Sequence, residues 1–88
     1  SELAAALRAL GRAIRERREE LGISQLELAH RAGVTQDRIW RWESGRRWPR
    51  TDALLRLAEA LGMPAATLLA RAELLRADEA RSSQVTRS

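Results

Sequence analysis

The chain has 88 residues, 44% of them hydrophobic, and a formal net charge of +4. That length predicts one domain around a single core. Cysteine is absent, which excludes a disulfide framework and thiolate metal sites and fits a reducing compartment. No apolar run approaches the roughly 20 residues of a membrane span, and the start does not read as a signal peptide. The chain begins at Ser1 rather than Met, so a longer parent protein is an open expectation.

All 16 basic residues are arginine. Residues 1–50 hold 11 of them against 7 acids, whereas residues 51–88 hold 5 of each. A basic half favours a polyanionic partner. On charge alone, an ordinary solvated surface explains it equally well.

Strand signals are nearly absent, with two Val, three Ile and no Phe or Tyr, so the predicted class is all-α. The first predicted helix runs from about Glu2 to Glu20. Leu3, Leu7, Leu10, Ile14 and Leu21 recur at helical steps as one apolar stripe. Gly22 is its stop. Next, Ser24-Gln25-Leu26-Glu27 has the form of a capping box. The Ser24 hydroxyl accepts from the N–H three residues on, and Glu27 reaches back. This second helix is short and ends at Gly33, with Leu28, Ala29 and Ala32 inward.

Thr35 caps a third helix, which Gly45 ends. Trp48-Pro49 marks an ordered turn, because the residue before proline is pushed out of helical geometry. A fourth helix starts near Thr51 or Asp52, turns Leu54, Leu57, Ala58 and Leu61 inward, and ends at Gly62. Pro64 suits the first turn of a fifth helix carrying Leu68, Leu69, Leu74 and Leu75. Residues 1–77 are therefore the expected domain. From Asp78 the chain turns polar, and 78–88 is predicted to be a disordered tail.

Two short helices joined by Ala32-Gly33-Val34-Thr35 have the form of a helix-turn-helix. Small residues let the helices approach, and glycine permits the tight turn. The longer string resembles the lambda-repressor and Cro family of helix-turn-helix domains, also called the Xre family. The resemblance rests on Leu21-Gly22-Ile23-Ser24-Gln25-Leu26-Glu27-Leu28-Ala29, Ala32-Gly33-Val34-Thr35, Ile39-x-x-Trp42-Glu43-x-Gly45 and Pro49. Leu54-x-x-Leu57-Ala58-x-Ala60-Leu61-Gly62 follows, and the match covers about Leu7 to Ala70.

The resemblance implies a five-helix bundle that binds double-stranded DNA as a dimer. It implies that Gln25 bonds a phosphate and braces the third helix. Gln36, Asp37 and Arg41 match positions that face base edges, and Ser44 and Arg46 match phosphate-contacting positions. Arg18 and Glu43 match a pair that is often a partly buried salt bridge.

The tryptophans orient the third helix independently. Trp40 and Trp42 lie about 200° apart around a helix, so both cannot face the core. Trp42 shares a face with Ile39 and belongs inside. Trp40 then points outward with Gln36, Asp37 and Arg41, where relatives often carry a smaller polar residue. It packs on a thymine methyl or a sugar, serves a protein partner, or is shielded by neighbouring arginines. Arg41 suits guanine, Gln36 suits adenine, and Asp37 either accepts from cytosine or orients Arg41. Arg46, Arg47 and Arg50 cluster after this helix and suit the phosphate backbone. Arg38 and Thr35 are placed with them.

The expected function is sequence-specific DNA binding by a transcriptional regulator, most naturally a repressor. It would act in the cytoplasm, at the nucleoid of a bacterial or phage system. The alternative is a protein-interaction module on the same fold, such as an antitoxin or a coactivator-like bridge. Leu69, Leu74 and Leu75 are candidates for a homodimer interface, or pack within the bundle. An enzyme is not expected. Ser24, His30 and Asp37 fall at a cap, a short-helix face and a groove face, and no phosphate-binding glycine loop exists. His30 stands without a second ligand type beside it, so no metal or cofactor is expected.

Overall fold

The computed structural model describes residues 1–87, with side chains described through Ser83. Its elements are α1 (Glu2–Glu20), α2 (Gln25–Ala32), α3 (Gln36–Glu43), α4 (Thr51–Ala60) and α5 (Ala65–Arg87). Local chemistry sets the starts of the first three. The Ser1 hydroxyl accepts from the Ala4 N–H, Ser24 from Glu27 at 3.0 Å, and Thr35 from Arg38 at 3.3 Å. Each satisfies an N–H that has no partner within its helix. The reciprocal half of the expected capping box is missing. Arg31 Nε instead donates to Glu27 Oε1 at 3.1 Å. That i,i+4 pair occupies the carboxylate that the reciprocal bond would use.

The core draws on every helix. Leu10 and Ile14 of α1, Leu28 of α2, Ile39 of α3, Leu57 of α4 and Leu68 of α5 are sealed from solvent, together with Leu61 and Pro49. Burying each leucine or isoleucine contributes roughly 1.5–3 kcal/mol. The buried set on α1 lies at its middle. Leu3, at the head of the predicted stripe, is exposed, as is Leu74 of α5.

α1 and α5 lie antiparallel, as two cross-ties show. Arg8 meets Glu79 at 2.7 Å, and Arg71 meets Glu20 at 3.0 Å. Arg17 Nε donates to the Leu61 carbonyl at 2.9 Å and ties α1 to the end of α4. These ties bear on the chain's end. Helix α5 continues past Asp78 to Arg87, through the segment predicted to be disordered. Apolar burial within the segment is too small to order it alone. The segment instead follows a helix already anchored on α1. Glu73–Arg76 and Asp78–Arg81 are ion pairs within α5, and Glu79 is bound across to α1. Extending a nucleated helix needs little further burial. Ser88, the last residue of that predicted tail, lies outside the described residues. No single helix among the described residues is long and apolar enough to cross a membrane.

Candidate nucleic-acid interface

Helices α2 and α3 meet through a turn of three residues. Gly33 adopts a left-handed backbone, φ 70°, where a side chain is strained. This reversal lets the Val34 N–H donate to the Ala29 carbonyl at 3.0 Å and close the end of α2. Thr35 then starts α3 in a new direction.

The two faces of α3 differ sharply. Ile39 is sealed and Trp42 is 6% exposed, whereas Trp40 is 46% exposed. Gln36, Asp37, Arg38, Arg41 and Ser44 are also on the solvent side.

Behind α3 sits a partly buried polar knot. Arg18 donates through Nε to Glu43 Oε2 at 2.7 Å and through Nη2 to Glu43 Oε1 at 3.0 Å. Its third nitrogen, Nη1, donates to the Ile23 carbonyl at 2.9 Å. Gln25 Nε2 donates to Glu43 Oε1 at 3.1 Å. The Arg18 and Glu43 side chains are 13% and 4% exposed. The hydrogen bond to Glu43 raises the Arg18 guanidinium above its ordinary range, against the opposing pull of burial. One carboxylate thus joins α1, the start of α2 and the end of α3. The orientation of the exposed face is set from behind.

On that exposed face the partners are local or missing. Arg41 pairs with Asp37, one turn earlier, at 2.9 Å. The Arg46 guanidinium stacks over the Trp40 ring, 5.0 Å from its centroid. At an exposed site such a stack stabilises by about 0.5–1 kcal/mol. The neighbouring arginine therefore partly covers Trp40. Arg38, Arg47 and Arg50 have no ion-pair partner among the described residues. Gln25, Trp40 and Ser44 line a hollow on one side of α3, and Arg38, Arg41, Arg47 and Arg50 line a cleft on the other. Thr35 and Gln36 lie at the exposed start of α3.

Gly11 is a contributor that the sequence reading passed over. A Cβ at this position would collide with the carbonyl oxygens of Trp42 and Glu43. Gly11 therefore lets α1 touch the backbone at the end of α3. The available signal is a glycine inside an otherwise regular helix, which costs about 1 kcal/mol against alanine. Among the described residues, no three metal-ligating side chains gather around His30 or elsewhere.

The turn between α2 and α3, the locked rear of α3 and its exposed arginine-bearing front define a helix-turn-helix DNA-binding domain. The helix-turn-helix family model matches residues 14–68, and the chain belongs to that family, in its lambda-repressor-like (Xre) branch of DNA-binding transcriptional regulators.

An HTH-type transcriptional regulator of Methanothermobacter thermautotrophicus is 51% identical over 49 residues, 56% of this chain and 71% of that protein. Another, from Mycobacterium tuberculosis, is 39% identical over 75 residues, 85% of this chain, which spans about half (52%) of that protein's length. The crystal structure of the clp gene regulator ClgR from Corynebacterium glutamicum matches with a TM-score of 0.89 at 29% identity, covering 93% of this chain and 87% of that one. Most of the long α5 therefore belongs to an architecture seen elsewhere.

Proposed function

We propose that the domain reads double-stranded DNA by laying α3 in the major groove, and that it does so as a homodimeric transcriptional repressor. The observation that carries this is the contrast across α3. Its rear is locked by Glu43, and its front presents Gln36, Asp37, Trp40 and Arg41 to solvent. Arg41 bonds guanine O6 and N7, and Gln36 bonds adenine N6 and N7. The 2.9 Å contact supports Asp37 as the group that orients Arg41. Trp40 packs against a thymine methyl or a sugar. Gln25, Thr35, Arg38, Ser44, Arg46, Arg47 and Arg50 hold phosphates, which positions the helix without specifying sequence.

Two copies related by a two-fold axis read half-sites about one helical turn apart. The exposure of Leu74 supports α5 as the surface that joins them, whereas Leu69 and Leu75 pack in part against the core. The domain binds without catalysis and works at the nucleoid in the cytoplasm.

Selection of binding sites from random duplexes, followed by titration across salt, tests this. A two-fold consensus is expected. With about 6–8 phosphate contacts per dimer, log K falls against log salt with a slope of roughly −5 to −7. A slope near zero on the selected duplex overturns the assignment.

A further inference from the structure

We propose that the cleft between α3 and α4 seats one strand of the bound duplex, with Trp48 and Arg56 as contact residues outside the helix-turn-helix. This rests on the DNA reading above and extends it to a second element.

The cleft is about 380 Å³ in volume. Five arginines line it: Arg38 and Arg41 from α3, Arg47 and Arg50 from the turn, and Arg56 from the second turn of α4. Arg56 lies 18 residues beyond Arg38, and only the packing of α4 beside the end of α3 brings the two together. The one carboxylate in the lining is Asp52, which stands 3.8 Å from Arg56, a loose contact between exposed groups. Arg38, Arg47 and Arg50 have no ion-pair partner among the described residues. Like charges crowded around one hollow repel, and that cost falls when a polyanion enters.

Trp48 also lines the cleft, 44% exposed, although the Pro49 that follows it is sealed in the core. The chain therefore holds an indole at a cationic surface. An aromatic face beside several guanidinium groups suits a sugar-phosphate unit, with the deoxyribose against the ring and the phosphate against the arginines.

Geometry selects the duplex as the source of that phosphate. Arg41 belongs both to the cleft and to the exposed face of α3, so the two surfaces are continuous. A helix in a major groove about 12 Å wide has a backbone on each side. The hollow with Gln25 and Ser44 faces one backbone, and this cleft faces the other.

The test is duplex affinity measured across salt for wild type, Arg56→Gln, Trp48→Ala and Asp52→Asn, with thermal melting of each protein. Arg12→Gln, at an exposed position of α1, is the control. Each lost phosphate contact makes the salt slope about 0.9 shallower and weakens binding about eightfold at 0.1 M salt, so a variant dimer that loses one contact per protomer changes by about 1.8 in slope and about 60-fold in affinity. Arg56→Gln is expected to do this equally on the selected duplex and on an unrelated one. Trp48→Ala is expected to weaken binding and leave the slope unchanged. Asp52→Asn is expected to tighten binding, a direction that damage to folding does not produce.

If wild type binds no duplex, the DNA reading itself fails. If wild type binds and Arg56→Gln keeps both its affinity and its slope, the cleft assignment is overturned and the DNA reading stands. Weaker binding by Arg56→Gln with an unchanged slope and a lowered melting temperature also overturns it, as does Asp52→Asn binding no tighter than wild type. Binding of a free nucleoside triphosphate that Arg56→Gln abolishes, without change in duplex affinity, transfers the cleft to a small ligand and overturns it as well.

Discussion

Two ion pairs flank the same short helix. Arg18–Glu43 lies behind α3 at 2.7 Å, and Asp37–Arg41 lies in front of it at 2.9 Å. Their chemistry and lengths are nearly equal, and their surroundings are not. The rear side chains are 13% and 4% exposed, the front ones 46% and 64%. Water competes freely for the front pair, so breaking it costs about 1 kcal/mol or less. The rear carboxylate has left water, and Arg18 and Gln25 replace its hydration. The rear pair therefore fixes where α3 sits, whereas the front pair can exchange an internal partner for a base or a phosphate. Distance alone does not tell a structural pair from a functional one.

That contrast breaks most severely at Glu43. Glu43→Ala leaves the partly buried Arg18, its side chain 13% exposed, without its carboxylate, and about 3–5 kcal/mol of stability should be lost. Urea unfolding measures this, and a variant within 1 kcal/mol of wild type would remove the distinction between the two pairs.

Gly11→Ala tests the same rear contact without touching charge. Its Cβ has no room against the Trp42 and Glu43 carbonyls, so α3 must shift outward. Overpacking of this kind costs about 1–3 kcal/mol. DNA affinity should fall further than stability alone explains, as titration under conditions where the variant is fully folded will show.

Arg41→Ala is the mirror experiment on the front. Folding should stay within about 1 kcal/mol of wild type. Binding to the selected duplex should lose about 1–3 kcal/mol per half-site, and discrimination at one base pair in each half-site should relax. Equal loss at every sequence would mean that Arg41 holds a phosphate instead.

The smallest expected effect lies far from α3. Hydrogen bonds from Arg71, and then from Arg17, hold the Glu20 carboxyl below its ordinary range. A carboxyl depressed in the folded state stabilises above its unfolded value, and that contribution is lost as pH falls through the folded one. The melting temperature of wild type should exceed that of Glu20→Gln near neutral pH, and the gap should close on acidification below the usual carboxylate range. Because Glu20 is exposed, the gap is small and salt-sensitive. A gap that persists in acid would place the effect elsewhere.

Much of this architecture follows from local sequence. Ser24, Thr35 and Gly33 set the bounds of α2 and α3 through bonds made within a few residues. The division of Trp40 from Trp42 follows from the pitch of one helix. Periodicity and capping are short-range physics, so a single segment carries them. The family string adds Arg18 with Glu43, two positions 25 residues apart that no local rule connects.

Tertiary structure decided the rest, because the deciding contacts join distant segments. The extension of α5 depends on Arg8 and Glu20 meeting Glu79 and Arg71 across the bundle. The demand for glycine at position 11 arises from the backbone of Trp42 and Glu43. The cleft exists because α4 carries Arg56 beside Arg38. Sequence by itself determined which helices form and which face of α3 looks outward, since both depend on residues within a turn or two. Only the folded chain determined what stands behind that face and which arginines gather beside it, since close approach and shared charge depend on where whole helices lie.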